Sequence, residues 1–193
     1  MNVPNILTLL RIALIPVFVL FYYLPYAWSN LAAALVFALA GFTDWLDGYL
    51  ARRLGETSAF GAFLDPVADK LMVATALVLI VDTNPTSWSG IWIALPSVVI
   101  VGREIAVSAL REHMAELGAR AQVAVSMMGK VKTTAQMFAL LLLIYQAPIG
   151  PLNTVSIGVI MLYIAAALTL WSMVLYLKAA MPILTEQERS KTG

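Results

Sequence analysis

Six apolar runs, at residues 7–24, 31–53, 66–82, 89–112, 129–147 and 153–179, constrain this chain more than any other feature, because they predict an all-α, polytopic membrane protein with six transmembrane helices. A helix needs about 20 mostly apolar residues to cross the hydrocarbon core. The fifth and sixth runs come close with uncharged residues alone. The second, third and fourth do not. Their charge-free stretches, such as 31–43 and 71–81, are short, and each reaches full length only by taking in charged residues at one end. Only 12% of the 193 residues are charged against 61% hydrophobic, about half the charged fraction of a soluble domain. So few charges cannot make a water-facing surface, and lipid must cover much of the molecule.

The connections alternate in charge. The turns near residues 25–30, 82–90 and 146–153 contain no Lys or Arg, and Asp82 is their single formal charge. All 12 basic residues lie elsewhere. The positive-inside rule then places both termini and the two charged loops in the cytoplasm. Tyr22, Tyr23, Tyr26, Trp28, Trp88 and Trp92 gather at the opposite ends, as an interfacial aromatic belt would. The first run, followed by several more and without a convincing cleavage site, reads as a retained span. Absence of cysteine excludes disulfides, thiolate metal sites and a cysteine nucleophile. No internal repeat suggests a transporter built from two halves. Residues 1–184 read as one transmembrane domain, and 185–193 as a polar tail expected to be loosely ordered.

The chemistry concentrates in one stretch. Asp44, Asp47, Gly48, Ala51 and Arg52 share a helix face, since i+3, i+4, i+7 and i+8 return to the same side; Gly61, Asp65 and Asp69 do so on the next helix. A short link around residues 54–58 makes the two helices antiparallel neighbours, so four carboxylates should converge. Crowded in a low dielectric, either some of them stay protonated or cations sit among them. Hard divalent ions such as Mg²⁺ or Mn²⁺ take oxygen ligands, and Mg²⁺ commonly binds through carboxylates plus substrate phosphates. Two such ions suit phosphoryl transfer. Gly48 leaves space for a ligand beside the helix, and Arg52 offers a planar fork for phosphate oxygens. The plainer reading is that Asp65 caps a helix beginning at Pro66, with Asp69 and Lys70 as interfacial residues. Asp44 and Asp47 resist it, because they follow thirteen uncharged residues on a presumed membrane helix, where a charge costs about 2.5–3.5 kcal/mol on insertion scales.

These residues resemble the CDP-alcohol phosphotransferase signature, D-x₂-D-G-x₂-A-R, then about eight residues, then G-x₃-D-x₃-D, and every fixed position is filled. Similarity continues outside it: Asn5, Thr8 and Arg11 near the start, the Arg103–Glu104 and Arg111–Glu112 pairs, Gly129 to Gln136, and Leu170 to Met173. The resemblance implies a homodimeric six-helix enzyme of the bacterial cytoplasmic (inner) membrane. It implies transfer of a phosphatidyl group from CDP-diacylglycerol to glycerol 3-phosphate, releasing CMP, with Mg²⁺ or Mn²⁺, two ions in all, as cofactor. It assigns Asp44, Asp47, Asp65 and Asp69 to metal, and Asp69 also to taking the proton from the glycerol hydroxyl. Asn5, Thr8, Gly48, Ala51, Arg52, Ser58 and Gly61 fall to the CDP-lipid. No nucleic-acid partner is expected.

The acceptor's phosphate needs cations. Arg103 lies within the fourth apolar run, about two turns before Arg111, while Lys130 and Lys132 open the fifth. An intramembrane arginine is usually functional or paired. Its nearest partner, Glu104, is adjacent, and neighbours on a helix are not expected to face each other. Arg103, Arg111, Lys130 and Lys132 are therefore expected to hold the acceptor phosphate. His113, the single histidine, suits a surface position at a helix end. A serine acceptor fits such a pocket poorly. A cation-coupled transporter would carry its acids near the midplane, often at broken helices, whereas these sit at the charged margin beside Arg52 and Lys70.

Overall fold

The computed structural model describes residues 3–54, 59–117 and 127–192, a few side chains near helix ends excepted. They form α1 (Val3–Tyr23), α2 (Ser29–Leu54), α3 (Ala59–Thr83), α4 (Ile91–Glu116), α5 (Met127–Tyr145) and α6 (Thr154–Thr192). There is no strand among the described residues beyond an isolated bridge between Ile149 and Leu152. The six helices match the six apolar runs. Four are long and apolar enough to cross a membrane as they stand, over Asn5–Tyr23, Ser29–Leu50, Ile91–Glu116 and Thr154–Pro182. The apolar part of α5, Val131–Tyr145, is shorter, and α3 carries Asp65, Asp69 and Lys70 in its first half.

Packing joins two groups of helices. α1 lies along α2 and α3; α6 lies along α5 and α4; α2 meets α5 and α3 meets α4. One buried core runs through both groups, and Phe18, Phe37, Ile80, Ile100 and Leu140 in it are fully buried. Leu20, Leu35, Val78, Val98 and Ile160 point outward instead, as a lipid-facing surface requires. Polar side chains along the helices bond to their own backbone: Thr43 donates to the Ala40 carbonyl at 2.8 Å and Ser97 to the Ile93 carbonyl at 2.7 Å. Each hydroxyl is thereby satisfied where water is excluded.

Three local expectations change. α3 begins at Ala59, so Asp65–Pro66 is not a helix start, and Pro66 lies inside the helix like Pro16, Pro96 and Pro182. Unwinding at a proline in lipid would expose several backbone groups, a larger loss than the one bond the ring removes. The tail is not loose through residue 192, because α6 continues to Thr192. Its Glu, Gln, Lys and Arg are good helix formers, and extending a formed helix needs no new nucleus. Tyr22 leaves the aromatic belt: it is buried and shares a 2.9 Å hydrogen bond with Thr83. Tyr23, Tyr26, Trp28, Trp88 and Trp92 remain exposed at that end. His113 is exposed in the last turn of α4, 3.5 Å from Glu116.

α5 and α6 approach closely at Gly158, where an added Cβ would stand 2.8 Å from Leu143 Cγ and 3.3 Å from the Ala139 carbonyl oxygen. Leu143 is fully buried and has no room to yield. Gly102, by contrast, has nothing within 4 Å of such a Cβ. Gly158→Ala is expected to cost about 1–3 kcal/mol through overpacking, while Gly102→Ala should be neutral or slightly stabilising. Thermal unfolding of the two variants in detergent checks the difference; equal midpoints would contradict the close approach.

Candidate functional site

At the charged end of the bundle, α1, α2 and α3 bring their few ionisable groups together. Arg11, only 1% exposed, rises from α1 between the two aspartates of α2. Its Nη1 lies 2.7 Å from Asp44 Oδ1, and its Nη2 donates to Asp47 Oδ2 at 2.5 Å. Asp47 is buried and Asp44 half-exposed. Helical spacing explains the fork: residues 44 and 47 stand one turn apart, so one guanidinium spans both. From the same face of α1, Thr8 donates to Asp65 Oδ1 of α3 at 2.5 Å. Asp47 lies within electrostatic reach of Asp44 and Asp65, and Asp69 within reach of Asp44 and Arg11.

The four predicted carboxylates are thus neighbours, but not one ligand shell. Among the described residues no three acidic or histidine side chains stand close enough to hold a metal ion together. The positive charge between Asp44 and Asp47 is Arg11's. In donor chemistry the site fits a hard divalent cation, since its ligands would all be carboxylate and hydroxyl oxygens and two of them already surround a positive group. A guanidinium and a metal ion are alternatives for the same two oxygens.

Beside this acidic site lies a cavity of about 330 Å³ between α3, α4, α5 and α6. Asp69 and Lys70 line one wall; Arg103, Glu104 and Arg111 line another, Lys132 and Gln136 a third, and Tyr176 closes it. Arg103 and Lys132 are buried. Both engage Glu104 Oε1, Arg103 Nη1 at 2.8 Å and Lys132 Nζ at 2.5 Å. Arg103 also donates through Nη2 to Ser172 of α6 at 2.8 Å, and its guanidinium lies 5.7 Å from the Tyr176 ring centroid. Arg103 and Glu104, adjacent on α4 and not expected to face each other, do pair. Facing rules describe Cα–Cβ directions, whereas these two long side chains bend toward a common partner on α5. Four basic groups, Lys70, Arg103, Arg111 and Lys132, against Asp69 and Glu104 leave the cavity net positive, and Asp69 stands at its boundary with the acidic site.

Most of the expected site residues are thereby brought together. Asp44, Asp47, Asp65 and Thr8 form the acidic site, Arg103, Arg111 and Lys132 share the cavity, and Asp69 belongs to both. Asn5, Gly48 and Gly61 lie on the helices that frame the acidic site. Ala51, Arg52 and Lys130 fall on α2 and α5 with side chains outside the described residues, and Ser58 lies outside them altogether. Sequence reasoning missed a role for Arg11, although a lone arginine at the ninth residue of an apolar helix needs a buried partner and could have been followed to one. It also missed Glu104 as the organiser of the cavity's cations, and Gln136.

A family model for CDP-alcohol phosphatidyltransferase matches residues 1–171. Curated relatives that carry the name CDP-diacylglycerol–glycerol-3-phosphate 3-phosphatidyltransferase are similar almost end to end. That of Pectobacterium atrosepticum is 58% identical over 93% of this chain and 94% of its own length. The Sodalis glossinidius protein is 56% identical over 93% and 95%. The Escherichia coli K12 protein is 53% identical over 96% and 98%.

Arg11 and Asp47 are a buried pair, and removing one partner of such a pair typically costs about 3–5 kcal/mol because the other charge is stranded. Arg11→Met should therefore lower the thermal midpoint markedly in metal-free buffer. Adding Asp47→Asn should recover part of that loss. A double variant no more stable than Arg11→Met alone would show that the two charges do not depend on each other.

Proposed function

We propose that this chain, which belongs to the CDP-alcohol phosphatidyltransferase family, transfers the phosphatidyl group of CDP-diacylglycerol to glycerol 3-phosphate, giving phosphatidylglycerophosphate and CMP in phospholipid biosynthesis. The observation that carries the reading is the position of Asp69, which borders both the acidic site and the cationic cavity. Transfer from a metal-bound pyrophosphate donor to the hydroxyl of a phosphorylated alcohol is suited by an acidic site and a cationic site side by side with a proton acceptor between them.

The donor takes the acidic side. Asp44, Asp47, Asp65 and Asp69 hold divalent metal there, and Gly48, Ala51, Arg52, Ser58, Gly61, Asn5 and Thr8 line the place of the cytidine diphosphate. The family works in general with divalent metal; two ions, Mg²⁺ or Mn²⁺, suit this donor set. When bound, such ions supply positive charge to the pyrophosphate and to the departing CMP. Arg11 keeps Asp44 and Asp47 together when no ion is bound.

The acceptor takes the cavity. Arg103, Arg111 and Lys132, with Lys130 nearby on α5, bind its phosphate, and Glu104 orders Arg103 and Lys132. A cationic pocket of this kind selects a phosphorylated alcohol over serine. Bound there, the acceptor presents a hydroxyl to Asp69, which accepts the proton as the oxygen attacks the phosphorus bearing diacylglycerol. The new phosphorus–oxygen bond forms as the bond to CMP breaks. Phosphoryl-type transfer asks little more of a protein than positioning and charge stabilisation.

The charge asymmetry of the loops supports a multi-pass protein of the bacterial cytoplasmic membrane, with both termini and the site on the cytoplasmic side. One transmembrane domain over residues 1–184, working as a homodimer, completes the proposal.

Purified protein in detergent, given CDP-diacylglycerol, Mg²⁺ or Mn²⁺ and one alcohol at a time, should release CMP with glycerol 3-phosphate and not with serine. EDTA should abolish turnover. Asp69→Asn should lower kcat by about 10²–10⁴-fold, the usual contribution of a general base, and Asp44→Asn should also inactivate; undiminished activity in both variants would refute the chemistry. Lys132→Ala and Arg111→Ala should each raise KM for glycerol 3-phosphate about tenfold, the effect of losing roughly 1.4 kcal/mol of binding, and leave KM for the lipid nearly unchanged. An unaltered acceptor KM in both would dissociate the cavity from acceptor binding.

A further inference from the structure

Gln136 stands one turn after Lys132 on the same face of α5 and lines the cavity beside it. It is 4% exposed, and its Oε1 is buried without a hydrogen-bond partner among the described residues. A buried carbonyl oxygen left unpaired is unfavourable, and such groups in folded proteins usually wait for a ligand or a water. The bonds that its charged neighbours make go elsewhere: Lys132 and Arg103 both donate to Glu104, Arg103 also donates to Ser172, and Arg103 Nε, itself unpaired, makes no bond to it.

The chemistry of Oε1 restricts what can satisfy it. It only accepts hydrogen bonds. The oxygens of an ionised phosphate also accept, so the acceptor's phosphate cannot pair with it. Only an O–H or N–H in the cavity will do. Glycerol 3-phosphate has two hydroxyls. One attacks phosphorus and gives its proton to Asp69; the other, on C2, keeps its proton and is free to donate. We infer that Gln136 is a specificity-determining residue that accepts a hydrogen bond from the non-reacting C2 hydroxyl of the acceptor while the neighbouring cations hold the phosphate. This rests on the proposed transfer to glycerol 3-phosphate and adds the means by which the carbon skeleton is read. A site built to bond a hydroxyl rejects the analogue lacking it far more strongly than an apolar pocket would, because the protein group is then left unpaired.

The test compares glycerol 3-phosphate with 3-hydroxypropyl phosphate, which has the same phosphate and primary hydroxyl but no C2 hydroxyl. CMP release gives kcat/KM for each. The unmodified protein should favour glycerol 3-phosphate by about 100-fold or more. Gln136→Met keeps the length and removes the amide, and should bring the ratio to within about threefold by losing efficiency with glycerol 3-phosphate alone. Gln136→Glu keeps an accepting oxygen. It should retain a large ratio while its charge raises KM for both phosphates, and it keeps the question decidable should Gln136→Met fail to accumulate. The inference is overturned by an unmodified protein that does not discriminate, by Gln136→Met slowing both acceptors equally or neither, or by collapse of the ratio in Gln136→Glu. A protein that turns over neither acceptor would instead sink the proposed activity; turnover of glycerol 3-phosphate with an unchanged ratio in Gln136→Met would sink only the role of Gln136.

Discussion

A charge inside a lipid-covered bundle has no water to turn to, so it must meet an opposite charge or a polar group on another helix. Much of the organisation of this molecule follows from that one demand. Arg11 of α1 reaches the aspartates of α2, Thr8 reaches Asp65 of α3, and Glu104 of α4 ties Lys132 of α5 to Arg103, which in turn grips Ser172 of α6. Every helix is drawn into the network at the charged end. At the far end the demand is slight: Tyr23 donates to Asp82 at 2.7 Å, and Tyr22 pairs with Thr83 beside it.

The same network divides the site by sign. In the acidic site Asp44, Asp47, Asp65 and Asp69 gather around the guanidinium of Arg11; around the cavity between α4 and α5 the balance reverses. Opposite fields side by side suit a reaction that joins a pyrophosphate donor, which needs a cation-filled acidic cradle, to an acceptor that is itself an anion. Glu104 explains how basic side chains can line a buried cavity without driving the helices apart. Its carboxylate offsets part of their mutual repulsion and fixes where they point, in the way a satisfied polar network imposes one arrangement.

Some of this was legible from the residues in order. The apolar runs gave six helices with approximate bounds, and the i+3, i+4 spacing of Asp44, Asp47, Asp65 and Asp69 gave two acidic faces on successive helices. Of Arg103, Arg111, Lys130 and Lys132, expected to share a pocket near one membrane margin, Arg103, Arg111 and Lys132 line a common cavity. Missed features share a cause. Arg11's partners are 36 residues away, Ser172 is 69 residues from Arg103, and no local pattern announces either pairing. The start of α3 was misplaced because Asp–Pro is a strong capping signal in water, and lipid overrides it.

Bilayer thickness and helical periodicity act along the chain, so the sequence by itself determined the number of helices, the gathering of charge at one end and the presence of an acidic motif. Which acid faces which base was decided only by the packing of α1 against α2 and α3 and of α4 against α5 and α6. That choice depends on how side chains such as Phe18, Phe37 and Leu140 fill the space between helices, and close packing is a property of several segments at once. The orphaned oxygen of Gln136 belongs to the second kind. A glutamine in sequence is merely polar; it becomes an unanswered hydrogen-bond acceptor only when tertiary structure removes water from around it.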